Sequence, residues 1–181
     1  MKKTYVLDTN VLIQAPYAVE CFEENTVVLP MTVLEELDNM KKEEGEKGAN
    51  VRKVIRILDA HREKGNLLEG VRMEWGGILR VEKNYRNVEL PPDLPEHKSD
   101  NRILKVCVGL SNDLKEQVIL VTKDILLRIK AQLLGIQAED FGTEQVAVHE
   151  EQYLGRREVF VPEELFKDFK KKGVPVECVY C

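Results

Sequence analysis

The chain has 181 residues, 43% hydrophobic and 33% charged, which suits one ordinary globular domain with a small appendage and excludes a disordered chain. No apolar run reaches the about 18 residues of a membrane span, and Asp8 interrupts the first apolar run too early for a signal peptide, so the chain reads as cytoplasmic without a membrane partner. The net charge of −5 argues against a broadly basic, salt-driven nucleic-acid binder, although residues 41–64 carry eight Lys or Arg against five Asp or Glu.

In chain order, residues 4–7 read as a strand, 11–22 as loosely helical and 26–29 as a second strand closed by Pro30. Thr32, with Glu35 three residues later, has the form of a capping box opening a helix that runs to about Lys42. There, Asp38 is expected to pair with Lys42 at i, i+4. Residues 43–48 read as a charged loop, and Val51, Val54, Ile55 and Leu58 repeat as one face of an amphipathic helix. Val71, Met73 and Trp75 alternate with polar residues, Gly76-Gly77 marks a two-residue turn, and 78–82 returns, a hairpin signal. Residues 84–98 contain Pro91, Pro92 and Pro95, a loop of the length that is functional or mobile in a compact domain.

A largely apolar helix follows over 100–110, then an uninterrupted apolar strand of the buried parallel type over 117–121. Residues 124–134 form another helix, stopped by Gly135, and 136–138 a short strand. Helices alternating with buried strands predict an α/β fold with a mainly parallel sheet. After about Glu144 the pattern changes: a strand over 157–161, a helix from Pro162 and alternation over 174–180 predict a small β-α-β extension. The expected organisation is a domain over 1–144 and an extension or connector over 145–181. Cys178 and Cys181 make a single C-x-x-C, short of the two pairs or added histidines of a zinc site.

Four carboxylates occupy similar topological places. Asp8 ends the first strand, Glu36 lies in the first turns of the helix after the second, Asp100 opens a helix, and Asp124 follows the strand VILVT. In a parallel α/β sheet, strand C-termini and helix N-termini share one edge, so these residues are expected to converge there. Singly, each has a plainer role: Asp8 as a helix cap, Asp100 and Asp124 as favourable charges at helix N-termini. Together, their mutual repulsion calls for a divalent cation, and oxygen-only ligands point to Mg²⁺ or Mn²⁺. Glu36 falls beside Val33 and Met40 at the margin of the buried face, whereas Glu35 shares its side with Asp38 and Asn39, so Glu36 is assigned to the site. Thr9, Asn10 and Thr122 either orient the carboxylates or form turn and cap hydrogen bonds.

The stretches VLDTNVLI, VLPMTVLEELDNMK, SDNRILKVC and VILVTKDILLRIKAQLLGIQAED resemble a PIN domain, and most closely the one that precedes a PhoH-type ATPase in bacterial two-domain proteins. The resemblance implies a Rossmann-like three-layer α/β/α sandwich around a mainly parallel sheet. It also implies a metal-dependent ribonuclease of the FEN-like superfamily that cleaves single-stranded RNA by metal-activated water, leaving 5′-phosphate and 3′-hydroxyl ends. The family's acidic residues fall on Asp8, Glu36, Asp100 and Asp124, with Mg²⁺ or Mn²⁺ as cofactor, and its strand-end Ser/Thr on Thr9 or Thr122. Proximity to these motifs makes Lys41, Lys42, Arg102 and Lys123 the candidate contacts to the RNA backbone. The P-loop of a PhoH-type ATPase is missing from the sequence, so the chain reads as a stand-alone PIN protein or, preferably, an excised N-terminal part. A PhoH-type ATPase in cis or trans and a homo-oligomer are the expected partners. The alternative is a catalytically weak module that positions RNA for an ATPase. A phosphotransferase using Asp8 would want a second aspartate where Asn10 stands.

Overall fold

The strands of highest apolar content become the centre of the sheet. The computed structural model describes residues 2–85 and 87–142. Among them, six strands are arranged as β3-β4-β2-β1-β5-β6. These are β1 (Lys3–Leu7), β2 (Thr26–Pro30), β3 (Val71–Arg72), β4 (Ile78–Glu82), β5 (Gln117–Val121) and β6 (Gln137–Glu139). All neighbours run parallel except β3, which pairs with β4 antiparallel. Five helices connect them: α1 (Thr9–Gln14), α2 (Met31–Met40), α3 (Gly45–Lys64), α4 (Ser99–Asp113) and α5 (Ile125–Leu133).

Val6, Leu7, Val27, Val28, Leu29, Ile119 and Leu120 have no exposed surface, as buried parallel strands require. Each fully buried Leu or Val contributes roughly 1.5–3 kcal/mol, so the strands that carry the site are anchored in the apolar core. Register aligns the strand ends: Leu7 pairs with Val121 and Pro30 with Glu82. The ladder runs one residue further, with Asp8 N–H donating to Val121 O at 3.0 Å and Thr122 N–H to Glu139 O at 3.1 Å.

Several local expectations need correction. The helix expected over 11–22 ends at Gln14, because Pro16 follows and a turn leads into a short 3-10 helix, Ala18–Glu20. The Thr32–Glu35 capping box does not form. Pro30 holds the N-cap position of α2, Thr32 is fully buried and its hydroxyl faces Asn84 Oδ1 at 3.4 Å. Asp38 pairs with Lys41 at 2.6 Å, one residue earlier than the expected Lys42. The loop over 43–48 is cut short because α3 starts at Gly45, whose φ of +80° suits the glycine. The hairpin turn is wider than Gly76-Gly77: β3 ends at Arg72, and Met73 N–H bonds Gly77 O at 2.8 Å.

The proline-containing loop is tethered to α4. Leu94 is buried, Asn101 Nδ2 donates to Pro95 O at 2.8 Å, and the buried Lys105 ammonium donates to Glu96 Oε1 at 2.5 Å. The β-α-β expectation for 145–181, its boundary at 144/145 and the C-x-x-C pair lie outside the described residues.

Candidate functional site

Asp8 is the buried centre of the sheet edge. Only 4% of it is exposed, at the junction where β1 hands over to α1. It occupies the N-cap position of α1 but makes no side-chain cap hydrogen bond. Its Oδ2 instead accepts from the Thr122 hydroxyl at 2.8 Å, a bond between strand ends far apart in sequence. The same Thr122 oxygen accepts the Asp124 N–H at 3.0 Å, so it is held from both sides. Burial pushes the Asp8 carboxyl above its ordinary value, against the pull of the Thr122 hydroxyl and the Thr9 backbone N–H, and Glu36 and Asp100 add to the push.

A cleft of about 270 Å³ opens beside it, lined by Asp8, Thr9, Asn10, Glu36, Lys47 and Asp100 among others. Three of the four expected carboxylates therefore share one cavity. Glu36, half-buried on α2, accepts a hydrogen bond from the Thr9 hydroxyl, whereas Glu35 is exposed and turns to Arg102 at 3.4 Å. Helical spacing thus separated the two glutamates as expected. Asp100, in the first turn of α4, is held by the Lys130 ammonium at 3.3 Å. Thr9 and Thr122 each orient one carboxylate, and Asn10 lies exposed on the rim.

Asp124 adjoins this group through Thr122 without being one of the cleft's lining residues. Its Oδ1 accepts from the Leu126 and Leu127 N–H groups at 2.7 and 3.3 Å, so it caps α5, and it does not line the acidic cleft. The candidate basic residues are also outside the lining. Lys41 pairs with Asp38, Arg102 with Glu35, and Lys123 with Asp140 at 3.5 Å, while Lys42 is exposed. Lys47 does line the cleft, paired with Glu43 at 3.0 Å, and sequence reasoning missed it. The usable signal was Gly45: a helix starting there puts Lys47 in its first turn rather than in a loop.

The donor set fits a hard divalent cation chemically, because the lining offers carboxylate and amide oxygens and the buried Asp8 is burdened by like charge. Among the described residues, however, no three His, Cys, Asp or Glu side chains are gathered closely enough to hold one ion by themselves. Asp8, Glu36 and Asp100 are the lining carboxylates available to an ion that keeps several waters of its own, as Mg²⁺ usually does.

A family model described as a PIN domain matches residues 5–142. Protein PhoH2 of Bacillus subtilis (strain 168) is 46% identical over 179 residues, covering 96% of this chain and 40% of that protein. Protein PhoH2 of Mycolicibacterium smegmatis is 39% identical over 81% of this chain and 34% of its own. The chain thus spans well under half the length of these relatives. Among solved structures, a PilT N-terminus domain protein from Sulfolobus solfataricus P2 aligns with a TM-score of 0.43 and 14% identity, over 80% of this chain and 92% of that one. With its mainly parallel six-stranded sheet and its match across both flanks of the acidic edge, this chain belongs to the PIN domain family, a nuclease-type fold.

Proposed function

We propose that this domain is a divalent-metal-dependent endoribonuclease that cleaves single-stranded RNA. The observation that carries the reading is the convergence of Asp8, Glu36 and Asp100 on one cleft at the C-terminal edge of the sheet. Mg²⁺ or Mn²⁺ held by these carboxylates would supply Lewis acidity, strengthening a water as a nucleophile and neutralising charge at the scissile phosphate. The chain's own part is positional. Thr122 locks Asp8 in one rotamer, Thr9 locks Glu36, and Lys130 keeps Asp100 turned to the cleft. Glu36, which also lines the cleft, would take a proton from water, and the Asn10 amide and Lys47 ammonium would meet phosphate oxygens. Asp124, whose Oδ1 caps α5 outside the lining of this cleft, is kept as a fourth candidate ligand.

The similarity to PhoH2 proteins supports a PhoH-type ATPase as partner, in cis or in trans. Ile125, Leu126, Ile129 and Leu133 are 50–77% exposed on one helix, α5, and this apolar face supports self-association with a second copy. A second reading, an RNA-holding module with little turnover, draws on the open spacing of the acidic groups. The deciding experiment is cleavage of an end-labelled, unstructured RNA with Mn²⁺, Mg²⁺ or EDTA, comparing wild type with Asp100→Asn. Metal-dependent cutting lost in the variant supports the nuclease. Equal cutting by both proteins refutes the site, and no cutting by wild type favours the holding module.

A further inference from the structure

Among the described residues, a second cleft on the C-terminal sheet edge is larger than the acidic one. A cavity of about 560 Å³ lies at the ends of β2 and β4 and is lined by Met31, Glu82, Lys83, Asn84, Tyr85 and Asn87. Its volume falls in the range of small-molecule sites, about 300–1,000 Å³. Helix α2 links the two clefts: Met31 in its first turn lines this one, and Glu36 lines the acidic one. Five residues of helix rise about 7.5 Å. The strand order gives a second measure, because β4 and β1 flank β2 and so stand about 10 Å apart, two strand spacings. Neighbouring units of one extended polymer can occupy both.

The lining has a consistent chemistry. Tyr85 is a fixed wall. Its ring packs so closely on α4 that a Cβ at Gly109 would lie 2.2 Å from it, and its hydroxyl, pushed up to a pKa of about 12 mainly by burial, stays protonated with Asp113 as its hydrogen-bond partner. Met31 adds a thioether. Asn84 spends its carbonyl oxygen on the Thr32 hydroxyl and keeps its NH₂ group, while the exposed Asn87 carboxamide has no partner among the described residues. The Lys83 ammonium is exposed and outside the described ion pairs. Glu82 is an acceptor held in place by Arg80 at 2.8 Å. A planar ring and a thioether suit the face of a nucleobase, carboxamides suit its edge, and a lysine suits the adjoining phosphate. An apolar peptide would leave the carboxamides unpaired.

We propose that this second cleft is a nucleotide subsite. It holds a base of the same RNA strand that crosses the acidic cleft, stacked against Tyr85 and Met31 and read by Asn84 and Asn87. A purine offers the Tyr85 ring a larger face to stack on than uracil does, and Glu82 accepts from its exocyclic amine. Adenine is therefore favoured over uracil, whose only edge donor is N3–H. The inference rests on the ribonuclease reading for its polymer, and its test separates the two.

The probe is a short fluorescein-labelled oligo(A), with oligo(U) as competitor, binding the protein in EDTA, where cutting plays no part. Wild type should bind oligo(A) more tightly than oligo(U). Asn87→Ala, an exposed change that spares the core, and Tyr85→Leu should each weaken oligo(A) binding at least about fivefold, while Tyr85→Phe, which keeps the ring, stays near wild type. Equal affinity for both oligomers, or unchanged affinity in Asn87→Ala and Tyr85→Leu, overturns the subsite. Wild type that cuts RNA with no base preference overturns the subsite alone. Base-selective binding by a protein that never cuts supports the subsite and overturns the ribonuclease.

Discussion

Asp8→Asn tests the electrostatics of the site directly. The variant keeps the shape of a side chain that is 4% exposed and an oxygen for the Thr122 hydroxyl, and it removes one negative charge. A cleft of about 270 Å³ is, as a sphere, roughly 8 Å across, and two unit charges at that distance repel by about 2 kcal/mol at an effective dielectric of 20. Glu36 and Asp100 are partly exposed and Lys130 offsets Asp100, so roughly half of that is kept from each neighbour, about 2 kcal/mol in all. For a chain of this size that is a melting temperature higher by about 4–8 °C in EDTA at pH 7. The pH dependence has a definite sign. A carboxyl raised above its ordinary 3.8 carries no penalty below that pH, and stability is lost as pH rises from 3.8 through the folded value. Asp8→Asn should lose that component of the slope. With Mn²⁺ the order reverses, because wild type gains stability by binding and the variant gains little. Calorimetry in EDTA and in Mn²⁺, across pH, reads all of this. A variant that melts at or below wild type in EDTA would refute the claim that like charge burdens Asp8.

Three further outcomes are expected. Asp124→Ala should cost about 1 kcal/mol through loss of the α5 cap; Asp124→Asn should keep that stability in urea unfolding, so any loss of its RNA cleavage reports on the reaction. Gly109→Ala should destabilise by about 1–3 kcal/mol, because a Cβ there meets the Tyr85 ring; unchanged urea unfolding would refute that packing. Ile129→Glu, at a half-exposed position on α5, should leave the melting temperature within a few degrees and convert any self-associated protein to monomer in sedimentation; an unchanged sedimentation profile would remove α5 as the interface.

What could be read from the chain alone was whatever depends on local periodicity. The apolar runs at Val118–Val121 and Val27–Leu29 are buried parallel strands because nothing polar interrupts them. Glu36 rather than Glu35 faces the cleft because a helix turns about 100° per residue. The topological argument also brought Asp8, Glu36 and Asp100 to one edge. Tertiary structure decided the matters that depend on competition for partners. Thr32 resembles a cap in sequence, yet burial against Asn84 takes its hydroxyl elsewhere. Asp8 resembles a cap too, yet Thr122, brought alongside by the pairing of β1 with β5, claims its carboxylate, while Asp124, written into an equivalent motif, does cap its helix. Lys47 entered the cleft only because α3 begins at Gly45. A side chain with several available partners takes the one that packing brings within hydrogen-bond reach, and for Thr32 and Asp8 that partner lies 52 and 114 positions away.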